Sequence, residues 1–316
     1  MQAVDQAQAQ QAQPAQQDSQ AQHVFSGIWL PLVTPFAGGS VDFPELARLV
    51  VHYAGCGIAG IVVCGSTGEA AALDEAEQLA VLDTVLASAG SLPVMMGVAG
   101  SQVKQVQARV RRLAGRPLAG LLVPAPYYVR PSQAGLLDYF RTLADSAPAP
   151  LVLYDIPYRT GVKLETETIL ALAAHPNIRA IKDCGGDYHG TQAVIADGRL
   201  SVLAGEDHQL LGTLCLGGTG AIIASAHLYP ALFVALARAV AGQRLEHARR
   251  IFHAVMPMIK LLFAEPNPGP LKAMLAREGW LRNELRAPMT PASAAVEVAL
   301  ARACEQLGAA VPELLG

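Results

Sequence analysis

Eight short apolar runs, each followed by a longer amphipathic stretch, recur across roughly two hundred residues, and this alternation predicts an α/β fold, a (β/α)8 TIM barrel with a C-terminal helical extension. The size agrees: 316 residues, 52% hydrophobic and 16% charged, can bury a large core. A doubly wound sheet is disfavoured because no GxGxxG follows the first run.

Residues 1–24 are almost wholly Gln, Ala, Asp, Pro and Ser. They lack the apolar block of a signal peptide and the arginines of a transit peptide, and are expected to form a disordered or weakly helical tail. The barrel is expected over residues 25–242, with strands at 28–33, 60–64, 93–98, 120–123, 151–154, 178–182, 201–204 and 221–224. Between them, amphipathic periodicity predicts helices, among them 43–54, 74–89, 101–114, 132–146 and 165–174. The extension, 243–316, follows a helical stretch at 231–241 and carries helical sequence at 245–263, 270–277 and 291–307. Prolines in 265–270 exclude a helix interior and predict a rigid elbow there.

A net charge of -3 with no basic run gives no reason to bind nucleic acid or an anionic membrane, and no apolar run is fit to span one. The expected partners are small molecules or other copies of the chain. Cys56, Cys64, Cys184, Cys215 and Cys304 are odd in number, widely spaced and never in a CxxC pair. That pattern indicates neither a disulfide framework nor a zinc site, and reduced thiols fit a cytoplasmic protein. His52, His175, His189, His227, His247 and His253 form no ligand-like spacing, so each is read as a surface or locally hydrogen-bonded residue and no metal is expected.

Lys182 stands apart: it closes the mostly apolar run 178–182, and an ammonium beside a core must be solvated, paired or neutralised. The other lysines are Lys104, Lys163, Lys260 and Lys272. A strand-end lysine is more often a surface cation whose stem covers apolar surface. An amine destabilised as a cation can instead attack a carbonyl and form a Schiff base. The loops after the strands would share the active face of a barrel. After the second strand comes Gly65-Ser66-Thr67-Gly68-Glu69, whose amides and hydroxyls suit a carboxylate but which also reads as a capped turn. After the fourth come Tyr127 and Tyr128, phenols more often used in packing. After the fifth come Tyr154 and Arg159, the latter a candidate carboxylate clamp or an ordinary surface cation.

Taken together these stretches resemble the dihydrodipicolinate synthase and N-acetylneuraminate lyase family of class I, Schiff-base aldolases. One signature runs from Gly60 to Ala70 and the other from Tyr154 through Pro157 to Cys184. Pro126-Tyr127-Tyr128, Arg159 and Glu265-Pro266-Asn267-Pro268 are most similar to the synthase branch. The resemblance implies that Lys182 condenses with pyruvate. Tyr154 would move protons in a relay with Ser66 and a Tyr128 supplied by a neighbouring subunit. Thr67 would hold the pyruvate carboxylate, Arg159 the carboxylate of L-aspartate 4-semialdehyde, and Gly205 and Ile222 would line the keto acid. It further implies lysine and diaminopimelate biosynthesis, no cofactor, and a homo-oligomer, a dimer of dimers.

Two runs depart from the usual family pattern, Cys184-Gly185-Gly186-Asp187 and Gly205-Glu206-Asp207-His208. They lie near the second substrate, so an aldolase or dehydratase of another 2-keto acid remains an alternative, with a non-catalytic keto-acid-binding protein behind it. Lysine-sensitive relatives hold that effector with polar residues at positions matching Ala70, Glu75, Ser101 and Gln105. Most of that pattern is missing here, so weak lysine inhibition is expected although Tyr127 remains.

Overall fold

The computed structural model describes residues 25–316, so the predicted tail lies outside the described residues. Strand β1 (Gly27–Pro31) leads to a two-strand hairpin, β2 (Phe36–Ala37) and β3 (Ser40–Val41), and helix α1 (Phe43–Ala54). Next come β4 (Gly60–Val63), α2 (Glu75–Ser88), β5 (Val94–Gly97), α3 (Val103–Arg112), β6 (Gly120–Pro124) and α4 (Gln133–Ser146). They are followed by β7 (Leu151–Asp155), α5 (Pro157–Thr160), α6 (Thr166–Leu172), β8 (Ile178–Asp183), α7 (Tyr188–Asp197), β9 (Ser201–Ala204), α8 (Leu210–Cys215) and β10 (Gly220–Ile222). Helices α9 (Pro230–Ala241), α10 (Leu245–Leu262), α11 (Gly269–Arg277) and α12 (Ala294–Leu315) complete the chain.

Eight strands pair in parallel and close in the order β1-β10-β9-β8-β7-β6-β5-β4. They are the eight predicted strands, with ends moved by one or two residues. Nearly every strand residue is buried, because the inner face packs on itself and the outer face packs under helices. Trp29, Val62, Met95, Leu122, Val152, Ala180, Leu203 and Ile222 fill the interior, and Phe25 joins Trp29 at the end where the strands begin. Gly60 is obligatory there, since a Cβ would lie inside the Trp29 ring. Apolar filling at that end leaves the opposite end, where the strands finish, for polar groups.

Local signals set the helix starts. Asp42 accepts from Glu45 N before α1, Asp74 and Glu77 form a reciprocal capping box at α2, and Ser132, Asp187 and Ser293 cap α4, α7 and α12. The elbow is shorter than the prolines predict: α11 already begins at Gly269. Pro270 sits in its first turn, where a missing N–H costs nothing. Helix α12 reaches Leu315, well beyond the expected 307, and Tyr229 donates to Cys304 O at 2.7 Å to tie it to the start of α9. The β2–β3 hairpin is too short to show in an apolar pattern. Its turn, Gly38-Gly39, takes positive φ at both residues, and Glu284 accepts from both amides.

Of the two readings given for the histidines, His227 takes the locally hydrogen-bonded one, buried in the core. It is 2% exposed, its Nδ1 donates to Ala224 O and its Nε2 accepts from Val33 N. Burial pushes its pKa down to about 4, so it is a neutral tether between β1 and the turn after β10. Among the described residues no helix is long and apolar enough to cross a membrane.

Candidate active site

The strand ends bring Lys182 and Tyr154 together. They are register partners on β8 and β7, 5% and 6% exposed, and both side chains enter the barrel because the next residues, Asp183 and Asp155, point outward. Lys182 Nζ lies 3.3 Å from the Tyr154 hydroxyl and 4.4 Å from the centre of its ring. Burial, then the neighbouring Cys184, raise the Tyr154 phenol well above its ordinary pKa, against a hydrogen bond with Ser66 and the charge of Arg159. Tyr154 is therefore a neutral phenol at ordinary pH, able to pass a proton but not to store charge.

Ser66 and Thr67 lie in the turn after β4. That turn is bracketed by two non-glycine residues in the left-handed region, Cys64 and Glu69, both at φ 53°. Such strain persists only when surrounding contacts impose it. Thr34 donates to Gly68 O at 2.7 Å, and Asn267, from the elbow, donates to the Thr67 hydroxyl at 3.0 Å. Glu69 is buried against Lys272 of α11, 2.5 Å apart, with both side chains almost sealed from solvent. Lys272 also donates to Glu284 O and sits over the Phe36 ring.

Gly205 and Ile222 line the same interior. A Cβ at Gly205 would press on the Lys182 stem and the Cys184 sulfur, so this position can only be bare. Ile222 is fully buried on β10. Arg159 projects from α5 with its guanidinium 5.4 Å from the Tyr158 ring centre. It borders two openings: a largely apolar cavity of about 210 Å³ shared with Ser66, Tyr154 and Tyr127, and a wider one of about 630 Å³ shared with Glu206, His208 and Lys260. Tyr128 does not join the site of its own chain. It is 91% exposed, at φ 74°.

Three features were not singled out as functional in the sequence. Glu206 lines the wider opening, and after burial its carboxylate helps to raise the pKa of the Cys184 thiol. Asp207 is buried, accepting from Ser225 N at 2.7 Å and from its hydroxyl, and burial raises its pKa. Asp155 and Asp183 lie side by side on the outer face, behind Tyr154 and Lys182. Burial pushes Asp155 up to about 7, a Leu164 N–H opposes this, and the Asp183 charge adds to it. The signal for Glu206 was its place directly after Gly205 in a run unlike the usual one. No local signal marks the carboxylate pair.

The model of the Dihydrodipicolinate synthetase family matches residues 24–307. A 4-hydroxy-tetrahydrodipicolinate synthase from Sorangium cellulosum is 38% identical over 290 residues, 90% of this chain and 96% of the relative. The crystal structure of dihydrodipicolinate synthase from Thermotoga maritima is similar with a TM-score of 0.88 and 29% identity, covering 90% of this chain and 99% of that one. The enzyme from Cyanidioschyzon merolae with lysine bound gives a TM-score of 0.88 at 30% identity, with the same coverage of 90% and 99%.

Proposed function

Since the chain belongs to the dihydrodipicolinate synthetase family, whose members are class I Schiff-base lyases, we propose that it condenses pyruvate with L-aspartate 4-semialdehyde through an imine on Lys182. The observation that carries this reading is the buried amine of Lys182 held 3.3 Å from the phenol of Tyr154, which shares a cavity wall with Ser66.

In the reaction we infer, neutral Lys182 Nζ attacks C2 of pyruvate and water leaves, giving an iminium that withdraws electrons from C3. Thr67 and the amides of its turn hold the pyruvate carboxylate, with Gly205 and Ile222 shaping the space around it. A methyl proton departs through Tyr154 and Ser66, and the resulting enamine adds through C3 to the aldehyde carbon. The aldehyde oxygen takes the proton back. The substrate amine then attacks C2, displaces Lys182 and closes the ring. The acyclic alternative, in which a different 2-keto acid is cleaved or dehydrated, uses the same amine and relay.

We also infer a homo-oligomer, a dimer of dimers in which Tyr128 enters a neighbour's site, and two segments, the barrel 25–242 and the extension 243–316. Free Cys56, Cys64, Cys184, Cys215 and Cys304 are consistent with the reducing cytoplasm and a role in lysine and diaminopimelate synthesis. Trapping tests the core of the reading. Pyruvate plus borohydride should leave a covalent adduct on the Lys182 peptide, absent in Lys182→Ala, and the semialdehyde should then be consumed with pyruvate. No adduct, or an adduct on Lys163, removes the Schiff-base reading. An adduct without semialdehyde turnover removes the second substrate alone.

A further inference from the structure

We propose that Lys272 and Arg286, both from the C-terminal extension, are positioning residues for the keto acid: through Glu69 they fix the turn that presents Ser66 and Thr67 to it. This deepens the function proposed above and rests on its assignment of the pyruvate carboxylate to that turn.

The turn closes on Glu69. Its amide donates to Ser66 O at 3.2 Å, and the next amide, of Ala70, donates to Gly65 O at 3.3 Å. Glu69 is thus one hydrogen bond from the Ser66 backbone, at φ 53°, a conformation that L-residues avoid unless contacts impose it. Those contacts come from far along the chain. One carboxylate oxygen of Glu69 lies 2.5 Å from Lys272 Nζ and the other accepts from Arg286 N at 3.2 Å, so the extension holds both.

Each of the two holders is itself held. Lys272 donates to Glu284 O at 2.9 Å, and the Arg286 guanidinium pairs with both oxygens of Glu77 and donates to Ala72 O and Gly39 O. Lys272 Nζ lies 4.2 Å and the Arg286 guanidinium 4.6 Å from the centre of the Phe36 ring. The anchor therefore spans the β2–β3 hairpin, α2, α11 and the segment before α12. A buried ion pair adds little net stability over a neutral pair of similar shape. What it supplies is direction, since Glu69 must meet an ammonium and an amide at once. The hydroxyls and amides of the turn are in this way preorganised for a carboxylate, and a shift of about 1 Å would loosen the bonds they make to it.

The test is borohydride trapping on Lys182 with two methyl ketones, pyruvate and acetone, which lacks the carboxylate. The readout is the ratio of their trapping rate constants. Glu69→Gln/Lys272→Met removes both charges and nearly keeps the side-chain shapes. It should shrink the preference for pyruvate by about 10- to 100-fold, the value of a hydrogen bond to a charged group. Arg286→Lys keeps its charge but loses the two-pronged grip on Glu77, and should shrink the preference by about 2- to 10-fold. A purely structural role would slow both ketones alike and leave the ratio unchanged. A wild-type ratio in either variant overturns the role of the residue changed in it and leaves the proposed function standing. Should the double variant not fold, the ratio in Arg286→Lys decides for the whole anchor. A wild-type protein trapped no better by pyruvate than by acetone overturns the carboxylate role of the turn and the anchor with it.

Discussion

Tyr154 and Lys182 face each other across the β7–β8 ladder, with the phenol oxygen 3.3 Å from the amine. The strand register thus sets a phenol beside the proposed nucleophile without any loop having to close. Tyr154→Phe keeps the buried ring and removes only the hydroxyl. If the relay is right, kcat should fall about 10²- to 10⁴-fold while pyruvate is still trapped on Lys182, more slowly. Turnover close to wild type would end the role assigned to Tyr154.

Tyr128 is 91% exposed at a strained φ of 74°, and the proposed assembly has it enter a neighbour's site. Tyr128→Phe and Tyr154→Phe should each be nearly inactive alone. Mixed under conditions that allow subunit exchange, they should regain activity, because some hybrid pairs contain one intact site. A fully active monomer, or no recovery despite proven exchange, would remove Tyr128 from the relay.

Glu69 and Lys272 are a buried ion pair, so removing one partner strands the other. Burial lowers the Lys272 pKa, and the Glu69 charge works against that shift. Lys272→Met should cost about 3–5 kcal/mol in urea unfolding, and the double change Glu69→Gln/Lys272→Met should recover much of it. Equal losses in single and double variants would mean that packing, not charge, dominates the site.

Asp155 ties stability to pH. Its pKa is raised from 3.8 to about 7 on folding, by burial first, with Asp183 adding and the Leu164 amide and Lys163 opposing. Between these values the folded chain holds a proton that the unfolded chain has released. Stability from this group therefore falls as pH rises through that window, and the cost is fully present above about 7. Asp155→Asn can still accept from Leu164 and can donate to Asp183. It should stabilise by roughly 1–3 kcal/mol on the alkaline side and have little effect on the acid side, read as melting temperature against pH. A pH-independent difference would contradict the assignment.

L-lysine should inhibit turnover poorly. Of the positions matching the effector site of lysine-sensitive relatives, Ala70 offers no polar side-chain atom, Glu75 is paired with Arg112, and Ser101 donates to Tyr127 O at 2.6 Å. Losing two or three bonds to a charged ligand, each worth roughly 1.5–3 kcal/mol, weakens binding about a hundredfold or more. Half-inhibition at submillimolar lysine in a titration would show that other residues have rebuilt the site.

What the sequence could reveal followed from periodicity and motif. The eight strands, Lys182 at the end of one, and the turn holding Ser66 and Thr67 were all visible, because each is encoded within a dozen neighbouring residues. Register is not local. That Asp155 would abut Asp183 depends on how β7 slides against β8, and the irregularity at Leu151/Val152 in that ladder has no mark in either strand. Nor could GSTGE announce that its glutamate would meet Lys272, since their separation spans almost the whole barrel. Whether His227 would be exposed or locally hydrogen-bonded stayed open in the sequence, because a neutral, doubly bonded imidazole and an exposed one have the same sequence context.

The Asn267–Thr67 contact has a consequence in time. Thr67 and Glu69 are synthesised early, whereas Asn267 and Lys272 follow after the last barrel strand. A chain ending at β10 would hold a Glu69 carboxylate without Lys272 and a Thr67 without Asn267. Closing the ring of strands and completing its mouth therefore draw on segments far apart in the chain, the first ending at β10 and the second supplied only by the elbow and α11.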